Sequence, residues 1–133
     1  MQYTLFTLRS ISLMLFFMIA LPAHSWSQET AQSAKEYSRL HEQGVLALEQ
    51  NNYPEALISL SLAIQEAAAA ENKVAQASIQ LSLAQLHYNI HNFDQAALQV
   101  HSAIELLRDQ NNTALIAQAQ TLLGYIYVEN GKW

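Results

Sequence analysis

Between Tyr37 and Val128 the apolar residues recur three and four positions apart in five successive stretches, and each stretch closes on a polar cluster. Leu40, Val45, Leu46, Ala47 and Leu48 form the first stripe, which ends at Gln50-Asn51-Asn52. Ala56, Leu57, Leu60, Ala63, Ile64 and Ala67 form the second, with the spacing of a helix buried along one side. Pro54 suits the first position of that helix, where its missing N–H costs nothing, and Glu55 places an anion at the positive end of the helix dipole. The alanine run between Glu66 and Glu71 extends the helix to about Ala70, because alanine is the best helix former. Glu71-Asn72-Lys73 is then a turn.

A third helix is predicted over Val74 to Asn89, through Ile79, Leu81, Leu83, Ala84, Leu86 and Tyr88. A fourth carries Ala96, Ala97, Val100, Ala103, Ile104 and Leu107, with Asn92 as its expected side-chain cap and Asp94 in its first turn. Asp109 to Thr113 breaks it. A fifth runs through Leu115, Ile116, Ala119, Leu122, Leu123, Ile126 and Val128 to a turn at Asn130-Gly131. The pattern predicts an all-α chain.

The stripes repeat at a constant interval of 40 residues: Gly44 recurs as Ala84 and Gly124, Leu46 as Leu86 and Ile126, Tyr53 as Phe93 and Trp133. Asn52 matches Asn92, Ala56 matches Ala96, and Ala63-Ile64 matches Ala103-Ile104. A period of this length is the mark of an array of stacked units. The expected units are 37–76, 77–116 and an incomplete 117–133 holding one helix.

The small residues Gly44, Ala56, Ala63, Ala84, Ala96, Ala103 and Gly124, with the Leu123-Gly124-x-x-Tyr127 sequence, resemble the tetratricopeptide repeat, a pair of antiparallel helices that approach closely at such positions. The usual period of that repeat is roughly 34 residues, so the resemblance is to its longer variants, each helix being lengthened by nearly one turn. The aromatic expected early in the first helix of each pair is replaced by Leu40, Gln80 and Gln120. The resemblance implies a right-handed superhelical array of helix pairs, an α-solenoid of about two and a half repeats. Its inward residues would be Ser38, His41, Val45, Leu48, Ser78, Leu81, Gln85, Tyr88, Gln118, Thr121, Tyr125 and Val128. That mixture of apolar, aromatic and amide groups fits a groove for a protein or peptide. None of these positions is a cation, which argues against capture of a terminal carboxylate.

Composition changes the picture at the amino terminus. Ile11 to Leu21 is apolar but for one serine, follows the single cation Arg9, and leads to Pro22 and the small-residue sequence Ala23-His24-Ser25. This is the layout of a signal peptide over 1–25, cleaved after Ser25, followed by a loose polar linker over 26–36 that turns helical near Ala34. The alternative is a retained membrane anchor over 5–23. The expected location is periplasmic or secreted. The same layout also resembles the amino-terminal sensory part of bacterial membrane signalling proteins, the alternative reading. On that reading the array would continue past Trp133; otherwise another chain would cover the third unit. Standing alone, the third unit would leave Leu122, Leu123 and Ile126 without a partner helix and favour self-association.

Charge and side-chain chemistry then exclude classes of function. Without Arg9, five cations face eleven anions in the processed chain, and clustered Lys and Arg for phosphate contacts are absent, which excludes nucleic acid. There is no cysteine, and nothing implies a cofactor. His87 and His91 have the spacing of two zinc ligands on one helix face, but Tyr88-Asn89-Ile90 between them offers no general-base glutamate. His87 instead occupies the column of Ala47 and Tyr127, between helices, His101 is expected on an outer face and His41 near the concave one. No glycine-flanked serine or phosphate-binding loop is present, so no enzyme is expected. The leader reading is checked on protein recovered outside the cytoplasm: amino-terminal sequencing should begin at Trp26, whereas full-length chain held in the membrane establishes the anchor.

Overall fold

The computed structural model describes residues 24–131, which form five helices and no strand. The expected leader therefore lies almost wholly outside the described residues, as does Trp133, the third member of the Tyr53/Phe93 column. The helices are α1 (His24–Glu49), α2 (Tyr53–Ala69), α3 (Lys73–Asn89), α4 (Phe93–Leu107) and α5 (Thr113–Glu129). The chain divides into two compact units, Met1–Ala31 and Gln32–Trp133, and the second holds both hydrophobic cores.

One boundary differs from the sequence reading. The polar segment 26–36 is part of α1 and not a loose linker. No glycine or proline lies between Ser25 and Gln43, and Ala, Gln, Glu and Lys are all good helix formers, so nothing in the sequence ends the helix there.

The other helix ends share one geometry. Asn51, Glu71, His91, Asn111 and Gly131 all have positive φ, between 50° and 66°, and they stand 20 residues apart. At the first three, paired backbone bonds close the preceding helix: Asn52 N–H to Ala47 O at 2.8 Å with Asn51 N–H to Leu48 O at 3.0 Å, then the same from Asn72 and Glu71, and from Asn92 and His91. This is the Schellman arrangement, which satisfies the last carbonyls of a helix. After each of the first four comes an asparagine at the start of the next helix, Asn52, Asn72, Asn92 or Asn112. A 20-residue helix-and-turn is thus the unit, and the 40-residue period is two of them. The caps are not equivalent, however. Asn72 and Asn112 accept from the N–H of Ala75 and Leu115, but Asn92, expected to cap, makes no side-chain cap bond, and neither does Asn52.

Side-chain ties fix the directions. Gln43 near the end of α1 bonds Glu55 at the start of α2, and Asn130 after α5 bonds Asp94 at the start of α4, so consecutive helices run antiparallel. Tyr37 Oη accepts from Asn72 Nδ2, and His41 bonds Ser82, so α1 and α3 lie side by side and parallel. Helix α3 also packs against α2, α4 and α5.

Two cores meet at α3. Leu40, Ala47, Ala56, Leu60, Ala63 and Ala67 close on Ile79, Leu83 and Leu86, and a second set from Ala96, Val100, Ala103, Leu107, Ala119 and Ile126 closes on Ala77, Leu81 and Ala84. Ala56, Ala63, Ala84, Ala96 and Ala103, the small columns of the repeat, are fully buried. Gly44 is buried for a measurable reason: a Cβ there would lie 2.6 Å from Leu60 Cγ and 3.3 Å from Leu60 N. Gly124, its counterpart 80 residues on, is exposed with nothing within 4 Å. Leu122, Leu123 and Ile126, expected to lack partners, pack on the second core, with Ile126 fully buried. Gly124, Tyr125 and Val128 stay exposed on the same stretch of α5.

The two glycines therefore respond to the same substitution with opposite sign. Gly44→Ala forces α1 off α2 and costs about 1–3 kcal/mol of overpacking, whereas Gly124→Ala removes a flexible residue from an open helix face and stabilises by about 0.5–1 kcal/mol. Urea unfolding of both variants measures this; a stabilised Gly44→Ala would contradict the close contact.

Candidate functional site

Because α1, α3 and α5 share one side of the second unit, their facing residues make clefts. The first, of about 610 Å³, lies between α1 and α3 and is lined by Tyr37, Ser38, His41, Glu42, Val45, Leu46, Glu49, Ala75, Ser78 and Ile79. The second, of about 500 Å³, adds α5: Val45, Leu48 and Glu49 on one wall, Leu81, Ser82 and Gln85 on the floor, Gln118, Thr121, Leu122 and Tyr125 on the other wall. Val45 and Glu49 belong to both, so the two adjoin.

Of the twelve residues expected to face inward, nine besides Ser38 fall on these clefts: His41, Val45 and Ser78 on the first, and Val45, Leu48, Leu81, Gln85, Gln118, Thr121 and Tyr125 on the second. Ser38 joins the first cleft, while Val128 is exposed beyond both. Leu81 has two roles, since only 4% of it is exposed and most of its side chain belongs to the second core. Tyr88 is elsewhere. It lines a separate pocket of about 380 Å³ at the turns, with Asn51, Tyr53, Asn89, His91, Phe93 and Glu129, and meets Phe93 edge-on at a centroid separation of 5.8 Å. Tyr37, Glu42, Leu46, Glu49, Ala75, Ile79, Ser82 and Leu122 are the lining residues that the resemblance did not supply. Their signal was nonetheless present, because Glu42 and Glu49 flank Val45 at one-turn intervals along a single line of α1.

The polar chemistry of the first cleft centres on His41. Its Nε2 and Ser82 Oγ share a hydrogen bond of 2.8 Å, and Ser82 also reaches the Ser78 carbonyl at 3.5 Å. Burial penalises the imidazolium and holds His41 below the usual histidine range. A serine beside a neutral histidine is the start of a nucleophilic pair. Among the described residues, though, no carboxylate orients the imidazole, and the backbone N–H groups of α3 that could hold an oxyanion are committed within the helix. Glu42 and Glu49 are exposed at the cleft edge without a hydrogen-bond or ion-pair partner among the described residues, and no Lys or Arg lines either cleft. The Arg39 and Arg108 guanidinium groups are taken by Glu36 and Glu105 on their own helices.

The remaining histidines do not converge. His87 is half-buried on α3, its Nδ1 sealed without a partner, and burial lowers its pKa. His91 is exposed in the positive-φ turn, edge-on to Phe93. His101 is exposed on α4 and shares a 3.0 Å hydrogen bond with Tyr127 Oη of α5. Among the described residues no group of three or more His, Cys, Asp or Glu is placed to hold a metal ion. No described helix is long and apolar enough to cross a membrane.

Comparison with known proteins adds no relative: no family model, curated protein or solved structure matches the chain.

The two half-buried imidazoles give the fold a pH signature. Their folded pKa values lie below that of the unfolded chain, near 6.5, so the folded state binds fewer protons than the unfolded one below that pH. The stability they contribute is complete above about pH 6.5 and is lost as pH falls towards the folded values. Thermal unfolding followed by circular dichroism should show a midpoint that falls as the pH is lowered below about 6.5, before carboxylates begin to titrate. In His41→Gln/His87→Gln most of that drop should vanish. A midpoint that climbs on acidification contradicts the assignment.

Proposed function

We propose that the chain is an exported, non-catalytic scaffold of tetratricopeptide type, its helix pairs wound as a right-handed superhelical array, which binds a protein or peptide segment across α1, α3 and α5. The observation that carries this reading is the convergence on two adjoining clefts of ten of the twelve residues that the resemblance assigns to a groove. The lining suits peptide binding, since Val45, Leu48, Leu81, Leu122 and Tyr125 offer apolar area, and Gln85, Gln118 and Thr121 offer donors and acceptors for a ligand backbone. Tyr125 stands 61% exposed, a large aromatic at the mouth of the cleft where interface anchors are commonly found.

The closely packed 40-residue pairs support the array, since Gly44 and Ala84 admit the neighbouring helix where a larger residue would not. Support for a non-catalytic role is chemical: among the described residues, the His41–Ser82 pair has no orienting carboxylate and no free backbone N–H groups to hold an oxyanion.

The reading is tested in living cells with a photo-crosslinking residue placed at Gln85, within the second cleft, or at Leu98, exposed on α4 outside it. A discrete crosslinked partner from position 85 and none from 98 is expected. Equal labelling from both positions would remove the groove from the proposal.

A further inference from the structure

We propose that the segment held in this groove is cationic and apolar together, an extended peptide carrying two Lys or Arg residues three positions apart beside large apolar side chains. This rests on the scaffold reading and names its ligand class. Two independent features of the clefts carry it. The apolar one is the second cleft, where Leu48, Leu81, Leu122 and Tyr125 face one another across a gap of about 500 Å³. The electrostatic one is the edge of α1, where Glu42 and Glu49 stand exposed without a partner among the described residues and no cation lines either cleft.

Glu49 belongs to both clefts, so the negative edge runs into the apolar gap and is not a detached surface patch. The two glutamates are seven residues apart on one line of α1, a separation of ~10 Å along the axis. A peptide in the extended polyproline II form has three residues per turn and advances about 3.1 Å per residue, so side chains three positions apart lie on one face, about 9 Å apart, close to that separation. An acidic segment would meet these carboxylates with no counter-charge, and a purely apolar one would leave them beside it without a partner. Cationic side chains fit twice over, because their methylene stems cover apolar surface while the charged end reaches the carboxylate.

The test is selection of a random-peptide phage library on the whole processed chain. The expected consensus has Lys or Arg at positions three apart next to Leu, Ile, Phe or Trp. A synthetic consensus peptide should lose affinity about five-fold in Glu42→Gln/Glu49→Gln, two partly exposed ion pairs being removed, with a similar loss at high potassium chloride. Glu49→Lys should shift the selected consensus towards acidic residues. Circular dichroism of each variant confirms that the fold is retained, as expected for exposed positions. Selected peptides that lack cations and ignore both glutamine substitutions, yet are displaced by Thr121→Arg in the cleft wall, overturn this ligand class and leave the scaffold standing. Peptides insensitive to any of these substitutions, or no enrichment at all, overturn both.

Discussion

Helix α3 has no face free to move, and the rest of the second unit is arranged around that. Ile79, Leu83 and Leu86 point into the core shared with α1 and α2, and Ala77, Leu81 and Ala84 into the one shared with α4 and α5. Each set has the i, i+4, i+7 spacing of a single helical line, and the two lines are offset by two residues. Full burial of a Leu or Ile side chain is worth about 1.5–3 kcal/mol, so both sides are strongly held. The line between them, Ser78, Ser82 and Gln85, is polar and half-buried, and it forms the floor of the clefts. The helix that clamps the two cores together thus also presents the polar groups of the site. The fourth line is less comfortable: Gln80 gives its amide N–H to Ser102 on α4, but its Oε1, and His87 Nδ1 two turns further on, are sealed without a partner. Such groups each cost about 1–3 kcal/mol when unsatisfied, which marks this line as the weakest part of the interior.

Register between helices comes from the turns. Four asparagines and five positive-φ residues at a 20-residue interval start α2 to α5 at equal intervals, so the buried stripe of α2 reappears in α4 with each member in place: Ala56, Leu60, Ala63 and Ala67 against Ala96, Val100, Ala103 and Leu107. Asparagine tolerates the left-handed conformation, and glycine adopts it freely, but Glu71 and His91 are held there by the paired backbone bonds around them. The turn geometry is therefore imposed by the packing of the helices it joins as much as by the residue that makes it.

This explains what could be seen in the residues beforehand. Helix existence and most boundaries were legible because hydrophobic spacing and polar breaks agree, and the close approach at Gly44 was legible because only a small residue fits against Leu60. The shorter 20-residue rhythm was equally present in Asn52, Asn72, Asn92 and Asn112, but comparing only first helices with first helices and second with second conceals it. Tyr88 was misplaced for a physical reason. A periodic carry-over treats it as one more position on the concave line, yet the chain turns three residues later, and Phe93 draws the ring to the end of the helix pair. Gly124 shows the complementary limit. Its place in the column follows from the repeat, but whether a neighbour fills the space is a property of packing, and the space beside it is open.

The consequence for recognition follows from rigidity. A groove whose walls are separate helices binds weakly if the helices must first be ordered, because that entropy is subtracted from the interaction. Here the floor is fixed from both sides by buried side chains, the α1 wall is pinned to it through His41–Ser82 and Tyr37–Asn72, and the α5 wall is anchored by Ala119 and Ile126. Ordering is already supplied by the fold, so on the proposed reading contacts of a ligand with Leu48, Gln85 or Tyr125 would not be spent on assembling the site. On the proposed reading, discrimination among ligands would rest on the exposed groups at the edge, where Glu42 and Glu49 would act over several ångströms before the apolar contacts form and would be weakened by salt.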